Sequence, residues 1–233
     1  SIFQSVYGGI YSDDGHLYVA GSGGVLESII SGSNTNWRFA TTDIHIAKYT
    51  ADLAIDNSFG NNGFFDLSFE HDSNEWAIDL IEDTHGNIFI YGGVHFSNTI
   101  GNDIFIAKLD KNGQIDLSYG DKGFVIIGNS EVDEEADDFY IDTQGRVIFA
   151  ASATVGNHKE LMLGRLDSSG NLDDTFGVQG LFYEKIGFQF YDPNVAIKFN
   201  DNNPDDISIA VSGYSSKDSS SDYDFTTYVY RLL

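Results

Sequence analysis

Apolar and polar residues alternate over short segments of this chain, and the segments recur along its length. In one stretch four of them follow each other, EWAIDLIED at 75–83, NIFIYGGV at 87–94, DIFIAKLD at 103–110 and GFVIIGN at 123–129. Each has the length of a β-strand, is rich in β-branched or aromatic residues, and is bounded by Gly, Asp or Asn. The pattern predicts an all-β chain made of units of four antiparallel strands, which we name a, b, c and d in chain order.

Strand c and the polar phrase after it show the repeat most clearly. Strand c begins at 43, 103, 160 and 226, and each copy has a basic residue at the same position: Lys48, Lys108, Arg165 and Arg231. The phrase that connects strand c to strand d, here called the c–d phrase, occurs three times, as ADLAIDNSFGNNGF at 51–64, GQIDLSYGDKGF at 113–124 and GNLDDTFGVQGL at 170–181. The copies are spaced by 60 and then 57 residues, which indicates tandem structural units.

Within the c–d phrase three residue types recur, and each predicts a structural role. The glycines allow the positive φ angles of tight turns. The carboxylate is expected to accept turn amides or to meet the basic residue of strand c, and the aromatic residue is expected to pack between neighbouring units. Because a group needed once for chemistry would not be repeated in every unit, we expect structural rather than catalytic roles for these residues: Asp56, Asp116 and Asp173; Phe59, Tyr119 and Phe176.

Four antiparallel strands per period are typical of a β-propeller blade, and blades must stack because an isolated blade leaves both apolar faces in water. The phrase reads LDKNGQIDLSYGDKG and LDSSGNLDDTFGVQG, with a weaker first copy YTADLAIDNSFGNNG, and it resembles the delta-60 repeat of bacterial β-propellers. The resemblance implies a propeller but no fixed activity, cofactor or catalytic residue. We therefore expect one β-propeller domain over 1–233, with four blades of about 60 residues at about 1–69, 70–129, 130–187 and 188–233.

In this sequence the fourth unit lacks the c–d phrase and strand d, because only two residues follow Arg231. The chain is expected either to close as a four-bladed ring with one three-stranded blade, or to form part of a longer propeller or pair with another chain. An unpaired outer strand promotes aggregation. We therefore expect this edge to be short, charged or covered, and a homo-oligomer through it is one hypothesis.

Charge and composition narrow the partners. The formal net charge is −24, from 12 Lys and Arg against 36 Asp and Glu, and such a surface repels nucleic acid and anionic lipid. No run approaches the ~20 apolar residues of a membrane helix, so membrane insertion is not expected. The absence of cysteine excludes disulfides and thiolate metal sites and is compatible with a secreted or cell-envelope protein, bacterial by the resemblance. No cofactor is expected, except that acidic loops such as 131–138 and 218–224 could hold calcium.

Chain direction alternates within a unit, so the a–b turns and c–d phrases share one end, the regular end. The b–c and d–a connections share the other, irregular end, and they differ from unit to unit. Binding groups usually lie on irregular loops held by a rigid scaffold, so this end is the predicted site for a protein or carbohydrate ligand. The candidate ligand-binding residues are Trp37, Arg38, His71, Trp76, His95 and His158.

Two of these choices leave alternatives open. Trp37 and Arg38 lie in the longest b–c connection, 21–42, where they suit a sugar ring or a protein partner, although a hydrophobic anchor that pins the loop is the favoured role of Trp37. The three histidines, with Asp72 and Glu75, could form a zinc or iron site, but spacing alone leaves a metal site unknown. His45 takes a packing position on strand c.

The leading functional hypothesis is a secreted or cell-surface binding module that recognises a protein or glycan at the irregular end. The second is a hydrolase or lyase with an acidic site at the propeller axis, since paired carboxylates can hydrolyse glycosidic bonds. The third is a structural segment of a larger surface protein. No catalytic residue is assigned, because no nucleophile elbow, phosphate loop or HExxH motif occurs, and a non-enzymatic role is favoured.

Overall fold

The computed structural model describes residues 2–12, 14–31, 34–69, 73–99, 101–128, 132–185, 189–200, 203–216 and 223–232. Their side chains are described except at 2–5, 7, 25–41, 189–193, 195–200, 203–207, 223 and 232. These ranges contain fifteen strands and no helix, so the predicted all-β class is confirmed. A search of the same ranges for a helix long and apolar enough to span a membrane finds none.

The strands fall into four consecutive antiparallel units. The first contains β1 (Ile2–Tyr11), β2 (Leu17–Ser31), β3 (Asn34–Tyr49) and β4 (Phe64–Leu67), and the second contains β5 (Ser73–Glu82), β6 (Ile88–Phe96), β7 (Asp103–Leu109) and β8 (Phe124–Ile127). The third contains β9 (Asp133–Ile141), β10 (Val147–Val155), β11 (His158–Leu166) and β12 (Leu181–Glu184). The fourth contains only β13 (Gln189–Asn200), β14 (Asn203–Ser216) and β15 (Tyr223–Leu232).

Hydrogen bonding follows the predicted order a–b–c–d within each complete unit. A single parallel pair, Thr42 with Asn74, joins the first two units into one sheet. The first strand of the first three units carries a β-bulge at the same place, after Val6, Ala77 and Ala136. This shared irregularity places those three residues at equivalent positions in the three-dimensional repeat.

Successive units stack with a constant geometry. The first strand of each later unit packs across three strands of the unit before it: β5 on β1–β3, β9 on β5–β7, and β13 on β9–β11. Three buried clusters fill these interfaces, represented by Ile46 and Leu80, by Tyr91 and Phe149, and by Leu163 and Ile209. Both apolar faces of the two middle units are therefore covered, as the repeat requires.

The two outer units behave differently. Within the described ranges, no extended packing joins the fourth unit to the first. Among the described strands, β15 pairs with β14 alone, whereas β3, β7 and β11 each pair with the fourth strand of their unit. The described residues of the fourth unit form three strands, and the closed four-bladed ring stays a prediction.

Candidate functional site

At the regular end, each c–d phrase folds around one carboxylate and one cation. The Asp116 carboxylate accepts hydrogen bonds from the backbone N–H of Ser118 at 3.1 Å and from its hydroxyl at 2.5 Å. Its second oxygen lies 2.9 Å from Lys108 Nζ. These contacts, first the Ser118 hydroxyl and then Lys108, lower the pKa of Asp116. The same arrangement recurs around Asp56 with Ser58 and Lys48, and around Asp173 with Thr175 and Arg165.

The aromatic residues of the first two phrases pack against the phrase of the next unit, and Phe176 of the third phrase lies in the buried cluster shared with the fourth unit. Phe59 is fully buried, and Gly113 lies so close that a Cβ there would be 2.8 Å from the Phe59 ring. The Gly60 N–H also donates to the carbonyl of Asn112 at 2.7 Å. Tyr119 meets Gly170 in the same way one unit later. Both predicted structural roles of the c–d phrase, for the carboxylate and for the aromatic residue, are therefore confirmed.

A cleft of about 190 Å³ lies at this end between the second and third units, lined by Asp83, His85, Lys108 and Asp142 among others. The charged groups that line it are engaged by their own turns. Asp83 accepts the backbone N–H of His85 at 2.8 Å, Asp142 accepts Arg146 Nε at 2.6 Å, and Lys108 pairs with Asp116. The charged residues that line the cleft are therefore explained by their roles in stabilising the turns.

The irregular end carries a hairpin that the sequence did not predict. The connection 21–42 was expected to be a loop, but β2 and β3 continue through it and pair as far as Ser31 with Asn34. Beyond Gly24 these two strands pair only with each other in the described backbone, over a length of about 20–25 Å at the ordinary strand rise. The pairing satisfies the backbone N–H and C=O groups of both strands along this stretch. We call residues 25–41 the hairpin arm.

The arm contains two of the predicted ligand residues. In its backbone register Trp37 lies opposite Ser28 and Arg38 lies opposite Glu27. Their side chains lie outside the described residues, so the ligand role and the anchoring role both stay predictions. His71 also lies outside the described residues.

Trp76 and His95 are brought together on one face of the second unit. Trp76 pairs with Gly93, and a Cβ at Gly93 would lie 2.2 Å from the indole, so the ring lies directly over that glycine. His95 pairs with Asn74 on the same face, and its Nδ1 lies 3.1 Å from the carbonyl of Gly101. Both side chains are half-buried. The structure thus forms a small aromatic and imidazole surface, the Trp76–His95 patch, facing the third unit.

The remaining histidines take other places. His158 begins β11 opposite Val155, on a different unit from the patch. His45 is buried with its Nδ1 2.6 Å from Asp66, which agrees with the predicted packing position. In the part of the chain that the structure describes, no group of three or more His, Asp or Glu side chains is arranged to hold a metal ion. Of the two acidic stretches expected to be able to hold calcium, 131–138 lies mostly in strand β9, and 218–224 lies mostly outside the described residues, so a calcium site stays a prediction.

The irregular end also holds a buried carboxyl group, Glu75. Its Oε1 accepts hydrogen bonds from the Ser73 hydroxyl and from the backbone N–H of Phe69 at 3.4 Å, while its Oε2 has no hydrogen-bond partner among the described residues. Burial is the main cause that raises the pKa of Glu75 to about 7, and the hydrogen bonds from Ser73 and Phe69 oppose it. The Asp43 carboxylate raises this pKa further.

A second acid lies in the same cross-strand row. Glu75 pairs with Val94, and Val94 pairs with Asp103, so both carboxyl groups project from the face towards the first unit. Burial raises the pKa of Asp103 as well. The third unit repeats the row with Glu134, Ala153 and Glu160. The sequence alone suggests Glu75 only as a metal ligand. Glu75 aligns with Glu134 in the repeat, but the row itself depends on strand register.

No model of a known protein family matches the chain, and no curated protein matches its sequence. The likeness of the c–d phrase to the delta-60 repeat therefore rests on the residues of the phrase alone. The geometry of the two ends carries the functional argument.

Proposed function

We propose that this chain is a propeller-type binding module, secreted or displayed on a cell surface, that recognises a protein or glycan at its irregular end. The observation that carries the proposal is the contrast between the ends. At the regular end, the recurring carboxylates and basic side chains are already paired within their own turns and c–d phrases. At the irregular end, the hairpin arm of the first unit extends beyond the sheet, and the second unit carries a half-buried tryptophan and histidine.

Support for the propeller comes from the constant stacking of four antiparallel units. Each unit is too thin to exclude water by itself, and each later unit covers the one before it with its first strand. Radial repetition of such units is the propeller architecture, and four to eight of them are typical. The delta-60 likeness of the c–d phrase agrees with this arrangement.

Support for binding comes from the chemistry of the irregular end. A two-stranded hairpin is at best marginally stable alone in water, so an arm that pairs only with itself gains from contact with a ligand. Tryptophan offers a flat apolar surface with one polar atom, which suits sugar rings and protein hot spots. With a net charge of −24, neutral and cationic ligands are favoured over anionic ones.

The test is binding to a panel of neutral and amino-sugar oligosaccharides, measured by calorimetry with the full chain. We expect binding that Trp76→Ala and Trp37→Ala each weaken at least tenfold. Leu117→Ala is the matched control, because Leu117 is exposed at the opposite end. Binding that is unaffected by both tryptophan changes would contradict this site. If no oligosaccharide binds, the proposal that this end recognises a glycan is wrong. That result would favour the hypothesis of a structural segment, which requires no ligand.

A hydrolase or lyase is the second candidate, favoured by the Glu75–Asp103 row. A carboxyl group with a pKa of about 7 can act as a general acid near neutral pH. Its partner is two strands away, roughly 9.5 Å at ordinary strand spacing, at the upper limit for inverting glycosidases. Full burial of Glu75 and the repetition of the row in the third unit favour a structural role instead. Loss of glycosidase turnover in Glu75→Gln would support the enzyme, and absence of turnover in the wild type would exclude it.

A further inference from the structure

The outer faces of the first and fourth units expose positions that are buried in the middle of the stack. The face of the fourth unit that points away from the third, here called the trailing face, exposes Tyr214, Phe225 and Val229. The rings of Tyr214 and Phe225 contact each other edge to face at 5.9 Å. The face of the first unit that points away from the second, the leading face, exposes Val6, Tyr11 and Phe64.

Strand c shows the difference at one aligned position, two residues before the recurring cation. Ile46, Ile106 and Leu163 are 0%, 0% and 1% exposed, and each belongs to the buried cluster shared with the following unit. Val229 occupies the same position in the fourth unit and is 72% exposed. A following unit is what buries this position elsewhere in the chain.

Strand a shows the converse at its bulge. Ala77 and Ala136 are 0% and 9% exposed, and they lie in the clusters shared with the preceding unit. Val6 takes the equivalent position in the first unit and is 64% exposed. Inside the chain the two positions meet, because Ile46 shares a cluster with Ala77. Ile106 likewise shares one with Ala136.

We propose that the trailing face of one copy packs on the leading face of a second copy, head to tail, and so continues the stacking that operates within the chain. The occupant is a second copy because every buried trailing face in the chain is covered by the strand a of a following unit. Among the described strands of type a, β1 is the one whose leading face is open, and within a single copy it makes no extended contact with the fourth unit.

The contact is heterologous, since two different surfaces meet, so it closes only when the rotation between copies allows it. Two copies joined at both contacts form a ring of eight units, which lies within the known range of propellers. Each copy carries a net charge of −24, so electrostatic repulsion opposes the association at low ionic strength. Added salt screens this repulsion and should strengthen the contact. The inference rests on stacking and does not depend on the proposed ligand.

Cross-linking tests the contact directly, because the chain has no cysteine of its own. Val229→Cys and Val6→Cys are each prepared in the 233-residue chain with different tags, mixed, and treated with a short bismaleimide. We expect a covalent pair of the two tags in several-fold excess over the pair formed when Leu117→Cys replaces Val6→Cys. Leu117 is 70% exposed, like Val229, but lies in a c–d phrase.

The double variant Val6→Cys/Val229→Cys distinguishes the competing arrangement. If its main product is an internally cross-linked single chain at every dilution, the chain closes on itself and the proposal is overturned. Sedimentation of the unmodified chain gives an independent reading. We expect a mass of twice that of one chain, promoted by salt and lost in Val229→Lys, with Leu117→Lys as the control. A single-chain mass at all concentrations and salt levels would also overturn the proposal.

Discussion

The two ends of the units treat carboxylates in opposite ways. At the regular end, Asp116 lies against a hydroxyl and a lysine, and its pKa is lowered. At the irregular end, Glu75 is buried without a cation among the described residues, and its pKa is raised to about 7. The first arrangement stabilises the ionised form, and the second stabilises the neutral form.

This difference distinguishes the carboxylates that hold the fold together from the one that is a candidate for function. The charges at the regular end recur in three units and hold the c–d phrases in place, so they belong to the fold. The raised pKa of Glu75 means that part of the irregular end changes its charge near neutral pH.

The largest expected effect is on the regular end, from Phe59→Ala. Phe59 is fully buried between two units, so its truncation should lower the free energy of unfolding by about 3–5 kcal/mol. Urea denaturation measures the change. The exposed Leu117→Ala is the control and should stay within about 0.5 kcal/mol of the wild type. A loss below about 1 kcal/mol for Phe59→Ala would mean that neighbouring units do not pack through this ring.

The next effect belongs to the irregular end, from Glu75→Gln. The folded-state pKa of Glu75 is raised from 4.5 to about 7, so the contribution of Glu75 to stability is fully present below about pH 4.5 and is lost as the pH rises to about 7. Glutamine stays neutral, so the variant should gain roughly 3 kcal/mol relative to the wild type between these limits. Urea denaturation at pH 4.5 and pH 8 measures the difference, and the same difference at both values would contradict the raised pKa.

Asp116→Asn tests the opposite pH dependence, in which stability is lost as the pH falls. The pKa of Asp116 is lowered, so its stabilisation is present above the unfolded pKa of about 3.9 and is lost as the pH falls through the lower folded value. The variant should lose about 1–2 kcal/mol at neutral pH, because asparagine cannot pair with Lys108 as a charge. The loss should shrink in acid. A constant loss from neutral to acidic pH would show that the side-chain charge is irrelevant.

The smallest expected effect is an increase in the free energy of unfolding, caused by Tyr119→Phe. The Tyr119 hydroxyl is buried with no hydrogen-bond partner among the described residues, and its ring takes the position occupied by Phe59 and Phe176 in the other units. Removing an unsatisfied buried hydroxyl should raise the free energy of unfolding by about 1 kcal/mol. Thermal denaturation measures the shift. A destabilised variant would indicate that the hydroxyl has a partner, such as a buried water.

Much of the regular end could be predicted from the sequence, because its information is local. The aligned Lys108, Asp116 and Tyr119 lie within twelve residues of one another, and their repetition marked them as structural before any contact was seen. The irregular end could not be predicted in the same way. The b–c connection of the first unit was expected to be a loop, and only backbone pairing shows that it is a hairpin.

By itself, the sequence determined the all-β class, the four units and the roles of the c–d phrase, since strand period, glycine turns and repeat spacing are written along the chain. The tertiary structure alone decided three features: the Glu75–Asp103 row, the Trp76–His95 patch and the two open outer faces. Each depends on which strands pair and in what register. A one-residue shift in register would move every one of these side chains to the other face of its sheet.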